Sequence, residues 1–413
     1  MHLIRPFAAL RPLPERAAEV AAPPYDVLST EEARAQAAGK PWSFLHISKP
    51  EIDLPPDVDP YAPEVYAKAA QNLLRMIADG VLVRDREPCY YAYRLIMGNH
   101  VQTGLVAAAS VAAYDSNRIR KHEFTQPHKE DDRVHQIEAL NAQTGPVMMA
   151  YPSTPQANDL LRQASGGPAD TDVIADGEVR HTLWVVRDTS RIARLTAAFD
   201  AMPALYIADG HHRTAAASRV ASARRVRNRK HTGDESYEYF LAVIFPHHQT
   251  QILPYNRVVT GLNGMSPDAF LQRLSSAFNV DRSGEPVAPD SPGELGMYLA
   301  GQWYRLFIHA GLIPIRDPVA RLDVSLLADH LLAPVLDIRD LRTDKRIDFV
   351  GGIRGLQELE KRVNSGKAAA AFSLHATSMG DLMDVADKGD VMPPKSTWFE
   401  PKLADGLVSH VID

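Results

Sequence analysis

Ala204-Leu205-Tyr206-Ile207-Ala208 is an uninterrupted apolar run that ends abruptly at Asp209-Gly210-His211-His212-Arg213, after which Thr214 to Arg224 has the composition of a helix. A short apolar run bounded by a polar burst predicts a buried strand, so this stretch reads as strand, loop and helix in direct succession. Glycine at the strand exit lets backbone approach an anion closely, while the free amides and positive dipole end of the following helix stabilise negative charge. His211, His212 and Arg213 sit where that anion would lie. Arginine grips phosphate oxygens with a planar fork, and two imidazoles can donate further hydrogen bonds. Asp209, at the strand end, is placed to hold Mg²⁺ or to orient an attacking hydroxyl. An aspartate turn with helix-capping histidines is the plainer alternative, but five polar groups at one strand exit exceed what a cap requires.

The chain has 413 residues, 45% of them apolar, enough for a large core divided into about two or three units. Two lobes with a cleft between them are expected. A formal charge of -6 lacks the electrostatic footprint of a protein that lives on nucleic acid or an anionic membrane. Cys89 is the single cysteine, which rules out an internal disulfide and a cysteine-based zinc site and fits a reducing compartment. Its place before Tyr90-Tyr91-Ala92-Tyr93 suits core filler better than a nucleophile. The Met1-His2-Leu3-Ile4-Arg5-Pro6-Phe7 start lacks a secretory pattern, and no apolar run reaches bilayer length, so a cytoplasmic location is expected.

The first 60 or so residues are proline-rich and read as extended chain wrapping a lobe. Val65 to Ala78 sets Val65, Ala69, Leu73 and Ile77 on one stripe before Gly80, the pattern of an amphipathic helix with a glycine stop. Tyr90 to Met97 and Thr103 to Tyr114 flank Gly98-Asn99, a hairpin signal. His135 to Gln143 predicts a helix, residues 152 to 180 loop and linker, Leu183 to Val186 a strand, Ile192 to Phe199 a helix, and Tyr239 to Phe245 a strand. From residue 256 a second lobe of helix and strand follows, with Gly284 to Gly296 as a loop. It continues with a helix over Leu356 to Val363, a strand over Ala368 to Leu374, and a helix capped by Thr377. The expected class is α+β or mixed α/β, divided at 1–255 and 256–413.

Two further blocks carry chemistry. Arg120-Lys121-His122-Glu123-Phe124-Thr125, running on to Lys129-Glu130-Asp131-Asp132-Arg133, sets a glutamate among cations, where it could take a proton from a substrate hydroxyl. A solvated charged loop is the alternative. In Asp390-Val391-Met392-Pro393-Pro394-Lys395-Ser396-Thr397-Trp398-Phe399, prolines stiffen the approach to an ammonium and two hydroxyls suited to a carboxylate or phosphate. Arg257 is a secondary candidate for the donor. His247-His248 has no carboxylate or third imidazole at ligand spacing, and Arg224, Arg225, Arg227, Arg229 and Lys230 suit a helix carboxyl end better than nucleic acid. There is no GxxxxGK[ST] loop and no GxGxxG after a strand.

These three blocks, in this order, resemble the free serine kinases of the ParB/sulfiredoxin-like superfamily. Over nearly the whole chain the sequence also resembles a large microbial family known chiefly as a domain of unknown function. The wider likeness lies in Ile4-Arg5-Pro6-Phe7, Ala22-Pro23-Pro24-Tyr25-Asp26-Val27 and Leu253-Pro254-Tyr255-Asn256-Arg257. The kinase resemblance implies a ParB/sulfiredoxin-like catalytic lobe, a second α/β lobe, and ATP or ADP as donor to the hydroxyl of free serine, with Mg²⁺. It implies Glu123 as base, Asp209 assisting it or holding the metal, Gly210, His211, His212, Arg213 and Arg257 at the donor, and Lys395, Ser396 and Thr397 at the amino acid. Lys395-Ser396-Thr397 departs from the kinases' Lys-Thr-Thr pattern, and the first two blocks lie further apart here, which leaves the acceptor open. A phosphate-ester or nucleotide hydrolase and a ParB-like nucleotide-sensing or DNA-binding module are the rival readings.

Overall fold

The computed structural model describes residues 2–175 and 177–412. The chain divides into two compact units, one formed by residues 1–250 with 401–413 and the other by 251–400. The class is mixed α/β.

Among the described residues, the first unit is built on a nine-stranded mixed sheet. Its order is Ile119–Arg120, Leu205–Asp209, Val147–Tyr151, Tyr239–Pro246, His100–Ser110, Tyr90–Met97, Arg180–Val186 and Thr171–Ile174, with Ile4–Arg5 also pairing on His100–Ser110. Leu205–Asp209 runs parallel to Ile119–Arg120 and antiparallel to Val147–Tyr151, which places the first two sequence blocks at one end of the sheet. Tyr90–Met97 and His100–Ser110 pair with Met97 opposite His100, so Gly98-Asn99 is the two-residue turn that the sequence predicts.

The strand Leu205–Asp209 buries every residue except its last. Leu205 and Ile207 join the main core beside Leu105, Met149 and Ile244, each such burial worth about 1.5–3 kcal/mol. The helix that follows, His211–Arg227, turns Ala216, Ala217, Val220 and Ala221 into that core. A row of alanines lets the helix lie close on the sheet, and this fixes where its amino end points.

Residues 152–180 differ from expectation. They contain the helix Pro155–Ala164 and the edge strand Thr171–Ile174. Thr154 caps the helix and a proline starts it, while Leu160 and Leu161 pack into the core, so proline content here marks a helix start. The helix expected over His135 to Gln143 runs instead over Pro127–Leu140, again with proline in its first turn, and stops at Asn141 in a left-handed conformation.

The second unit is a six-stranded sheet of antiparallel pairs, in the order Phe278–Ser283, Gln302–Ile308, Glu294–Leu299, Ala370–Leu374, Tyr255–Val259 and Ile347–Gly351. The expected loop over Gly284 to Gly296 ends in the strand Glu294–Leu299. Ser378, not Thr377, caps Met379–Lys388, in a reciprocal box with Asp381. Gln251–Leu253 pairs antiparallel with Trp398–Glu400, so chain enters and leaves this unit on adjacent strands.

The segment from residue 401 onward belongs to the first unit. His410–Val411 pairs with Ala142–Gln143, and Ala22 and Asp405 exchange backbone hydrogen bonds. Gly406 has φ +89°, and a Cβ there would lie 2.7 Å from the Phe44 side chain. Gly406→Ala is therefore expected to destabilise the first unit by about 2–4 kcal/mol through backbone strain and overpacking together. Urea unfolding monitored against wild type checks this, with a lower midpoint at unchanged slope as the expected result.

Candidate active site

The register of Leu205–Asp209 against Val147–Tyr151 slips between Ile207 and Asp209, which leaves Ala208 as a bulge. A bulge bends and twists its strand, and here it re-aims Asp209 at the strand exit. Gly210 then takes φ +105° as the residue before the helix, and a Cβ there would meet the Arg213 guanidinium at 3.1 Å. The backbone conformation and the close approach both require glycine.

Asp209 is part-buried. Its Oδ2 accepts from Lys402 Nζ at 3.1 Å, and Oδ1 lies 3.6 Å from Arg213 Nη2. Burial works to raise its pKa, but Lys402 and Arg213 outweigh that and hold the carboxyl well below its usual range. Arg213 is part-buried and donates to the Pro146 carbonyl. Burial disfavours its charge, yet Asp209, Asp26, Tyr25 and Asp405 together raise its pKa. These groups leave Asp209 a fixed anion and a weak base.

His211 is buried, with its Nδ1 3.7 Å from Glu123 Oε2, while its Nε2 faces the His122 amide at 3.4 Å. The His122 ring packs edge-on against it, with centroids 4.4 Å apart. Burial lowers the pKa of His122 to about 4, against the opposing effects of the Ile207 carbonyl and Asp209, so the ring is neutral near pH 7. Its Nδ1 is buried without a hydrogen-bond partner among the described residues. His212 is half-buried, and its Nε2 accepts from the Gln126 amide at 3.1 Å. Burial and then Lys129 lower its pKa to about 4. A neutral ring that accepts at Nε2 carries its proton on Nδ1, ready to donate to an anion. Glu123 is 48% exposed at its side chain, so it can meet a substrate from solvent.

Within the first unit, then, Glu123, Asp209, Gly210, His211, His212 and Arg213 are brought together. Ligating atoms of His122, Glu123 and His211 lie within 4.8 Å of one another. Asp209 does not offer Mg²⁺ a suitable place. That ion takes several oxygens, whereas both oxygens of Asp209 already face cations.

Sequence reasoning missed Lys402, Asp405 and the part played by Tyr25 and Arg133. Arg133 packs 3.8 Å from the Tyr25 ring centroid and pairs with Asp132. Tyr25, Arg133, Arg213 and Asp405 line a small pocket of about 30 Å³. The Pro-Pro-Tyr-Asp turn was a visible signal for Tyr25. Nothing local marks Lys402, which meets Asp209 across 193 positions.

In the second unit, Arg257 has no exposed surface. It donates to the carbonyls of Tyr255 and, at 2.9 Å, Lys395, and lies over the Phe349 ring. The sequence expectation put it at the donor; its two terminal nitrogens bond carbonyls of its own unit, while Nε is buried without a hydrogen-bond partner among the described residues. Burial lowers its pKa to about 9. Lys395 takes φ +58°, and the buried Ser396 donates to the Pro393 carbonyl at 2.7 Å, so the loop is a tight, internally bonded turn. Thr397 is half-buried beside it.

Asp405 gives a pH test. Burial raises its pKa to about 7, against the pull of Arg213, and Oδ1 lacks a partner among the described residues. A carboxyl with a raised folded-state value binds more protons in the native than in the unfolded chain between about pH 4 and 7. Its contribution to stability is full at the acid end and lost as pH rises through about 7. Urea midpoints at pH 5 and pH 8 should therefore fall further apart in wild type than in Asp405→Asn, with the variant gaining relative to wild type at pH 8.

No curated protein matches the chain. Among solved structures it is similar to a free serine kinase in complex with AMP, at 12% identity and TM-score 0.34, over 76% of this chain and 92% of that one. It is also similar to a conserved hypothetical protein from Pyrococcus furiosus, at 12% identity and TM-score 0.35, over 74% of this chain and 94% of that one. A third is C-terminally truncated SbnI from Staphylococcus aureus, at 11% identity and TM-score 0.38, over 73% and 86%. No helix among the described residues is long and apolar enough to cross a membrane. The model of a family described as protein of unknown function (DUF1015) matches residues 4–325, and the chain belongs to that family.

Proposed function

We propose that this chain is a small-molecule kinase that moves a phosphoryl group from a nucleotide, ATP or ADP, to the hydroxyl of free serine. The observation that carries the reading is the half-exposed Glu123 carboxylate set 3.7 Å from His211, at the start of the helix that also bears His212 and Arg213. A proton acceptor thus stands beside an anion cradle, the two things phosphoryl transfer asks of a protein. The order of the three sequence blocks supports serine as acceptor.

The serine Oγ forms a bond to the terminal phosphorus, and the bond from that phosphorus to the bridging oxygen breaks. The departing nucleotide keeps that electron pair, and the hydroxyl proton passes to Glu123. Of the two carboxylates, Glu123 is the base because Asp209, held as an anion by Lys402 and Arg213, has little affinity for a proton. Asp209 instead fixes the two cations. His212, protonated on Nδ1, and Arg213 bind donor phosphates, with the Gly210 turn and the first helical amides completing the cradle. In the second unit Ser396 is spent on the Pro393 carbonyl and shapes the loop that carries Lys395 and Thr397.

Glu123→Gln is expected to lower kcat by roughly 10²- to 10⁴-fold while nucleotide affinity stays within a few-fold of wild type. His212→Ala is expected to weaken nucleotide binding instead. Phosphorus NMR with ATP or ADP, with and without serine, supplies the readout. Near-normal turnover by Glu123→Gln would remove the assigned base. The exposure of Glu123 also admits water as acceptor, and phosphate release indifferent to serine would make the protein a hydrolase.

A further inference from the structure

His122, Glu123 and His211 differ chemically from the oxygen-rich sets that hold Mg²⁺. Two imidazoles and a carboxylate suit borderline divalent ions such as Zn²⁺, Co²⁺ or Mn²⁺. Their ligating atoms already lie within 4.8 Å of one another. The strongest sign is His122. It is 2% exposed, and its Nδ1 has no hydrogen-bond partner among the described residues. A buried imidazole nitrogen left without a partner is costly, because nothing repays its lost hydration.

His211 stands against His122 with ring centroids 4.4 Å apart, and its contact with the His122 amide, at 3.4 Å, is long and easily given up. Glu123 closes the set from the solvent side, with 48% of its side chain exposed. Three protein ligands open on one side leave positions for water or a ligand oxygen, as in reactive rather than structural sites.

We propose that His122, Glu123 and His211 form a binding site for one transition-series divalent cation per chain, separate in position and ligand chemistry from any Mg²⁺ carried in by a nucleotide. This site stands on the geometry of the three side chains and does not depend on the transfer reading.

The test uses the full chain, stripped with a chelator and titrated with Co²⁺ in the absence of nucleotide and serine, with visible absorption and calorimetry as readouts. One Co²⁺ per chain is expected, displaced by Zn²⁺ and unaffected by excess Mg²⁺. Glu123→Ala, at an exposed position, is expected to weaken Co²⁺ at least about tenfold, and His122→Asn to do the same with an unchanged circular dichroism spectrum. His248→Ala, at an exposed histidine, is expected to change nothing. Absence of Co²⁺ binding overturns the site, as does binding that survives Glu123→Ala or that His248→Ala removes. If His122→Asn fails to fold, Glu123→Ala decides alone. Because no donor or acceptor is present, a protein that binds Co²⁺ and transfers nothing retires only the kinase reading, and the reverse result retires only the metal site.

Discussion

The part-buried Asp209 carboxylate, flanked by Lys402 and Arg213, is the interaction on which the arrangement of the first unit depends. A carboxylate that loses water must be paired, and one whose partners are removed costs far more than the pair contributes. Here the partners come from the start of the following helix and from the segment after residue 400. The carboxylate therefore ties the start of the following helix and the far-off segment after residue 400 to one strand exit. Arg213 repeats the logic from the other side. It bonds the Pro146 carbonyl, lies 3.3 Å from where a Gly145 Cβ would be, and takes its charge balance from Asp209, Asp26 and Asp405. Two glycines make room for it, and a shift of any one group would leave another buried charge uncompensated.

That economy divides the labour among the polar groups. Asp209 and Arg213 are held by each other and by their surroundings, so they set positions. Glu123 and His212, nearer the solvent, remain able to exchange a proton or donate a hydrogen bond to something that arrives. Arg257 plays the structural part in the second unit. It is wholly buried, and by bonding the carbonyls around residues 394 and 395 it holds a loop whose lysine sits at positive φ. An arginine after a turn looks like a surface group in sequence. Its burial here follows from carbonyls that a tight proline loop cannot bond for itself.

Local signals were legible where local physics decides. The run from Ala204 to Arg213 predicted the strand, the glycine turn and the helix, and Gly98-Asn99 fixed the hairpin register. Proline misled where it starts helices, as at Pro127 and Pro155, because its role as a stop and its role in a first helical turn share one letter. Among site residues, the Asp-Gly-His-His-Arg cluster announced itself by crowding. Lys402 and Asp405 did not, since an isolated lysine or aspartate acquires meaning only from a partner brought near by the fold. The role of His122 was equally hidden. Its significance lies in a bare ring nitrogen, which no pattern of letters records.

Because the stretch beyond residue 400 supplies a counterion to Asp209 and an edge strand at Ala142–Gln143, the first unit is assembled around an inserted second one. During synthesis Asp209 lacks Lys402, and Ala142–Gln143 lacks its partner strand, until the whole intervening unit has been made. That interval exposes unpaired strand to other chains, a hazard that chaperone capture or slow, late closure of the first unit would manage. Ribosome pausing within residues 251–400 would lengthen the wait.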